Sequence, residues 1–366
     1  MREIELIELD KPVIYNSELC ERLQKIKCKI DDVDDWDKMK KLTNPYELIH
    51  CSTNNCHAIR SINIFNPISR SFFKLVELMK DYDLCNSKEP ITQISIAEGP
   101  GGFIESFIKR ESYTTNDNIY GITLTPTTKY IPNWDKLNKL YNTSNINTSY
   151  GDIYDLNTIN SFISNINDKV DFITADGGFD YSNDFNTQET QSCRIILAEI
   201  IICFKKQKQG GDFVCKFFDI FNILTMKLIY ILKQHYDNIF INKPVTSRPA
   251  NSERYIVCKG FKGVSSDILG NLEYILSNWE EDKIYDIGGI TMDEGFIKNI
   301  KTHNLSFVNN QIKYLEKTLG LIKNNPTKYE YNKIIASQVM NAVNWCKSYN
   351  MNINNESKYL TRYNID

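Results

Sequence analysis

At 366 residues, 42% of them hydrophobic and 12% aromatic, the chain is long enough for one large domain or two of ordinary size and has the composition of a soluble globular protein. No apolar run reaches the ~18 residues that a bilayer crossing needs, and the start MREIELIELD carries acids where a secretory signal carries bases, which predicts an intracellular protein with no membrane partner. The formal charge of −3 excludes no class of partner, because steering follows local fields, and residues 195–262 hold eleven Lys and Arg against five acids, a net of +6 suited to phosphates.

Residues 1–68 read as a mainly helical N-terminal extension. From 69 to 262 short apolar runs alternate with amphipathic stretches: strands are predicted over 92–97, 119–124, 145–150, 170–175, 212–217, 237–241 and 255–259, and helices over 103–110, 156–165, 189–208 and 221–235. This alternation predicts an α/β fold with a mostly parallel sheet covered on both faces. Only NKPVTSRPANSER separates the last two strands, too short for a helical crossover, so they should run antiparallel. Seven strands with that late reversal outline a Rossmann-like methyltransferase core. Residues 263–366 read as a C-terminal helical extension, clearest in NNQIKYLEKTLGLI and YNKIIASQVMNAVNWCKSY. The ten cysteines are scattered, and Cys203, Cys215 and Cys258 lie inside apolar runs, so they read as reduced thiols.

ISIAEGPGGFIESFI runs from strand through glycine turn to helix. Glycines 99, 101 and 102 allow the backbone to approach a ligand, and the helix start near Phe103 favours a carboxylate or phosphate. The pattern is not GxGxxG. Asp152 follows the third strand, placed to accept from an adenine amino group with Ile153 against the ring. Asp176 ends the fourth strand, beside the switch point where doubly wound sheets bind ligands. With no GxxxxGK[ST] segment, S-adenosylmethionine is the expected cofactor rather than a nucleoside triphosphate.

Ser252-Glu253-Arg254 stands at the threshold of the apolar run Tyr255-Ile256-Val257-Cys258, where a half-buried carboxylate needs a partner. Asp176, Lys216 in GGDFVCKFFD and Glu253 all come from strand ends or loops around one crevice, and Lys74 in SRSFFKLVELM completes a Lys-Asp-Lys-Glu set. Taken singly, each is more often a solvated rim residue. Together, Asp176 and Glu253 are expected to hold Lys216, with Lys74 across the acceptor oxygen. A lysine tuned by burial and carboxylates can orient a ribose hydroxyl and take or stabilise its proton.

In NPYEL, GPGGF, ADGGF, GGDFVCKFFD and KPVTSRPANSERYIVCKG the chain resembles the FtsJ-like RNA ribose 2′-O-methyltransferases, and among them the cellular mRNA cap-1 enzymes. The resemblance runs from about residue 20 to 262 and more faintly through NNQIKYLEKTLGLI. It implies S-adenosylmethionine-dependent methylation of the first transcribed nucleotide of capped mRNA. The implied catalytic residues are Lys74, Asp176, Lys216 and Glu253, and the implied cofactor contacts are Ser69, Glu98, Gly99, Pro100, Gly101, Gly102, Phe103, Asp152 and Ile153. Lys25, Lys40, Asn186, Thr187 and Gln188 fall at positions implied to touch the 5′ end and its 7-methylguanosine cap. Partners would be capped mRNA, other capping enzymes or an RNA polymerase. The compartment would be the nucleus of a cell, or the cytoplasm or virion for a virus. Two rivals stay open: a ribose methylase of ribosomal or small nuclear RNA, and a catalytically silent RNA-binding subunit. Arg248 and Arg254 read equally as phosphate contacts or as partners of local carboxylates. His50, Cys51, Cys56 and His57 lack CxxC spacing, and adjacent His-Cys ligands strain a tetrahedral site, so no metal is expected.

Overall fold

Alternation along each central strand sorts its side chains to two faces. On one side Ile173, Phe213, Cys215, Ile256 and Cys258 pack against helices rich in Ile and Leu. On the other, Phe172, Val214, Tyr255 and Val257 join Leu75, Leu78, Phe103 and Phe107. Both faces are apolar because both are covered, as a parallel sheet requires.

The computed structural model describes residues 4–30, 33–51, 57–87, 89–128, 131–178, 186–281 and 283–363. Its first third holds β1 (Leu6–Glu8), α1 (Ser17–Lys27), α2 (Trp36–Thr43), a 3-10 turn (Glu47–Ile49), α3 (His57–Arg60) and α4 (Ser71–Asp81). The core follows with β2 (Thr92–Ile96), α5 (Gly102–Ile108), β3 (Asn118–Thr123), α6 (Asp135–Leu140), β4 (Ile146–Tyr150), α7 (Leu156–Ser164) and β5 (Val170–Ala175). It continues through α8 (Gln188–Lys206), β6 (Gln207–Phe217), α9 (Ile223–His235), β7 (Tyr236–Asn242) and β8 (Arg254–Phe261). Last come α10 (Ser266–Ser277), β9 (Ile284–Ile287), α11 (Glu294–Asn324), α12 (Lys328–Ser348) and α13 (Lys358–Tyr363).

Strands β2 to β8 form one seven-stranded sheet in the order β4-β3-β2-β5-β6-β8-β7. The strands from β2 to β6 pair in parallel, while β8 inserts antiparallel between β6 and β7. This is the Rossmann-like methyltransferase arrangement, and the late reversal falls where the short connection predicts it. Chain order changes direction between β2 and β5, which places the ligand crevice outside their carboxyl ends.

The flanking segments differ from the helical reading in one respect. β1 pairs antiparallel with β9, Leu6 opposite Ile287, tying the segment before the core to the segment after it. Strands this short show no periodicity that a sequence pattern can register. The flanks also pack on each other: Arg22 bonds Asn309, Thr43 bonds Thr318, and Gln338 Nε2 donates to the carbonyls of Lys41, Leu42 and Asn44. Among the described residues no disulfide forms, and no helix is long and apolar enough to cross a membrane.

Candidate active site

β5 and β6 run in parallel with Ala175 opposite Cys215, so the next residues, Asp176 just past the end of β5 and Lys216 still within β6, stand side by side. Lys216 Nζ lies 3.2 Å from Asp176 Oδ1 and donates to the Asp176 carbonyl at 2.7 Å. The antiparallel β8 places Tyr255 opposite Lys216, and the tyrosine hydroxyl donates to the same Oδ1 at 2.8 Å. Glu253 stands immediately before β8, and its Oε2 accepts from Lys74 of α4 at 2.7 Å. Burial works against the Lys216 charge, but Asp176 and then Glu253 outweigh it, so its pKa is raised and it is an ammonium at neutral pH. Burial likewise opposes the Glu253 charge, and Lys74, Lys216 and Lys243 overcome it, bringing the carboxyl down to about 2.

The four residues converge, with a different pairing from the one expected. Glu253 bonds Lys74 directly and acts on Lys216 only across space, because α4 lies against the loop that carries Glu253. Glu77, one turn beyond Lys74, accepts from the amides of Val245 at 2.6 Å and Thr246 at 2.9 Å and from Trp345 Nε1 at 3.0 Å.

Both neighbours of Glu253 are anchored to one carboxylate. Ser252 Oγ donates to Asp219 Oδ2 at 2.8 Å, and Lys27 Nζ reaches that oxygen at 2.8 Å and Ser252 at 2.9 Å. Arg254, 1% exposed, pairs with Asp219 Oδ1 at 3.5 Å and donates to Asn304 Oδ1 at 2.6 Å. The N- and C-terminal flanks thus reach the loop that carries Glu253 through Lys27 and Asn304. Burial opposes the Asp219 charge, but Lys27 and Arg254 hold its pKa low. The phosphate reading of Arg254 is therefore corrected, since its charge is buried and paired. Arg248 makes a bidentate pair with Glu47 at 3.0 and 3.1 Å. In both cases the carboxylate comes from a distant part of the chain rather than the local one anticipated.

A cleft of about 830 Å³ opens at the carboxyl ends of the strands, within the ~300–1,000 Å³ usual for ligand pockets. Asp176, Lys216 and Glu253 line it together with Ser69, Gly99, Pro100, Asp152, Ile153 and Gln188, whereas Lys74 meets the site through Glu253. The residues fit S-adenosylmethionine. Leu124, Ile131, Pro132 and Ile153 supply apolar wall for an adenine, and the exposed Asp152 uses one oxygen on the Tyr154 amide at 2.9 Å while keeping the other for a ligand donor.

Glu98, Gly101, Gly102 and Phe103 do not line the cleft. Glu98, 2% exposed, accepts from the Phe103 amide at 2.6 Å and the Ile104 amide at 3.4 Å, so the helix start expected to face a ligand is capped by the chain's own acid. Burial pushes the Glu98 pKa well up. Gly101 has φ 110°, which turns the chain into α5. A Cβ on Gly102 would lie 2.2 Å from the hydroxyls of both Ser69 and Ser71, so this glycine serves close packing behind the cleft wall.

Of the expected RNA contacts, Gln188 lines the main cleft. Asn186 and Thr187 line a smaller cavity of about 250 Å³ with Gln24 and Lys27, so α1 does meet this segment, through those residues rather than the exposed Lys25. Lys40 is half-buried and paired with Asp37. Cys56 and residues 179–185 lie outside the described residues, and no metal-holding group of side chains occurs among those described.

The family model described as FtsJ-like methyltransferase matches residues 67–261. The chain is 36% identical over 252 residues to the cap-specific mRNA (nucleoside-2′-O-)-methyltransferase 1A of Caenorhabditis briggsae, covering 63% of this chain and 28% of that protein. It is 30% identical over 334 residues to the cap-specific mRNA (nucleoside-2′-O-)-methyltransferase 1 of Mus musculus, covering 81% and 38% respectively. A Caenorhabditis briggsae protein named as the inactive enzyme 1B is 31% identical over 252 residues, 63% of this chain and 29% of that one. The chain spans about a third of the length of these relatives. S-adenosylmethionine is the cofactor that goes with the matched model. Because that match takes in just over half of the chain and all four convergent residues, the chain belongs to the FtsJ-like methyltransferase family.

Proposed function

We propose that this chain methylates the ribose 2′-hydroxyl of the first transcribed nucleotide of capped mRNA. The observation that carries the reading is the meeting of Lys216, Asp176 and Glu253 on one cleft, with Lys74 fixed to Glu253 at 2.7 Å. The names of the related proteins support the capped substrate.

S-adenosylmethionine would supply an electrophilic methyl on a sulfonium whose neutral thioether is the leaving group, so most of the acceleration comes from positioning. Lys216 acts as a donor: its N–H holds the acceptor oxygen and stabilises the negative charge that develops there as the O–CH3 bond forms, the hydroxyl proton being released to solvent water. Asp176 keeps that ammonium charged and aimed, itself steadied by the Tyr255 hydroxyl. Glu253 lines the cleft with its carboxylate held by Lys74, which keeps a negative charge beside the Lys216 ammonium.

The inactive relative gives weight to the silent-subunit reading, and the complete Lys-Asp-Lys-Glu set in this chain opposes it. Transfer of labelled methyl to capped, 7-methylated capped and uncapped RNAs of one sequence tests the proposal. Labelling of the capped RNAs alone supports it, equal labelling of the uncapped RNA favours a ribosomal or small nuclear substrate, and no labelling returns the silent subunit.

A further inference from the structure

We propose that Lys243 is a positioning residue of the active site, acting through Asn251 and Glu253; this rests on the methyltransferase reading above. Lys243 is the first residue after β7, and its Nζ crosses the β7–β8 loop to donate to the Asn251 carbonyl at 2.8 Å, the Asn251 Oδ1 at 2.6 Å and the Glu253 carbonyl at 2.8 Å. Ser247 Oγ stands at 3.4 Å. Asn251 and Glu253 line the cleft, and Lys243 does not. One ammonium therefore closes the loop on itself and sets where two cleft residues stand, without reaching the ligand.

Its position is not simply that of a loop staple. Asp219 anchors Ser252 and Arg254, the residues on either side of Glu253, whereas Lys243 takes the backbone carbonyl of Glu253 itself. It is also the third cation near the Glu253 carboxylate, after Lys74 and Lys216. The charged groups facing Lys243 are Glu253, Arg254, Lys74 and Asp219. Burial, with Arg254 and Lys74, outweighs the two carboxylates and lowers its pKa to about 7. An uncharged amine has two protons for three carbonyl acceptors and no field to exert on Glu253, so the brace weakens as pH rises through neutrality.

The test compares wild type with Lys243→Met and Lys243→Arg for S-adenosylhomocysteine affinity and for methyl transfer between pH 6 and 8.5. Lys243→Met is expected to keep that affinity within about twofold and to lower kcat roughly tenfold or more, the range of positioning losses. The wild-type advantage should shrink above pH 7, and Lys243→Arg should recover much of the rate. Unchanged kcat, a parallel loss of cofactor affinity, or a pH-independent ratio would overturn the inference. Lys243→Gln replaces Lys243→Met if the latter does not fold. If wild type transfers no methyl, the functional reading fails by itself, and Lys243 is then judged by carbon-13 titration of Glu253: a carboxyl pKa raised in the variant supports its role, and an unmoved one contradicts it.

Discussion

Lys74 and Glu253, 179 positions apart in the chain, meet at 2.7 Å, and one turn further along α4 Glu77 holds the amides of Val245 and Thr246. A single helix face thus grips the β7–β8 loop at two points, and the ion pair fixes the carboxylate that the cleft needs.

Glu253→Gln leaves Lys74 without its anion. Breaking a buried pair costs on the order of 3 kcal/mol, and urea unfolding at pH 7 should show a loss of that size. The Glu253 carboxyl stands at about 2 in the folded chain against an ordinary 4.5, so its contribution is present above pH 4.5 and disappears as pH falls toward 2. The gap between wild type and variant should close over that window. A gap that stays constant contradicts the pairing.

Three buried acids act in the opposite sense. Burial raises Glu189 and Glu199 to about 8 and Glu77 to about 7, so each binds a proton in the folded chain that it has released in the unfolded one at pH 5–7. Stability contributed by these groups therefore falls as pH rises from about 5 to 7. Lys243, with its lowered pKa, works the other way only above pH 7. Glu189 accepts from the amides of Phe221 and Asn222 through one oxygen, at 2.8 and 2.7 Å, which an amide oxygen can replace. Glu189→Gln should flatten the slope of melting temperature against pH, and an unchanged slope would contradict the assignment.

Gly102→Ala would drive a methyl into the hydroxyls of Ser69 and Ser71, both on the cleft wall. Overpacking of this kind costs about 1–3 kcal/mol. Calorimetry should show S-adenosylhomocysteine binding weakened roughly tenfold. Full affinity in a folded variant would mean that the wall does not touch the cofactor.

Arg254→Leu should destabilise the chain, because it strips Asp219 of a buried partner, while leaving the salt dependence of RNA binding in the folded protein unaltered. A reduced salt slope would restore Arg254 to the phosphate contacts.

The sheet was legible because strands covered on both faces are continuous apolar runs, and Asp176 and Lys216 were legible because adjacent parallel strands deliver their ends together. Which carboxylate meets which lysine was not, since Lys74 takes Glu253 only once α4 has docked on the β7–β8 loop. Tyr255 reads as core until β8 is set in register against β6. Glu98 looks like a ligand contact in the glycine turn, and only the fold of α5 turns it inward to its own amides. Lys243 carries no motif signal at all, because the loop must close before its acceptors exist.

The most direct measurement maps the methyl. Capped RNA labelled from methyl-tritiated S-adenosylmethionine is digested with nucleases and the modified nucleotide identified, for wild type and for Lys216→Ala. The account predicts label on the ribose 2′-oxygen of the first nucleotide, falling by roughly 10²–10³-fold in the variant. Label on a base or on the cap guanine, or a variant as active as wild type, would contradict it.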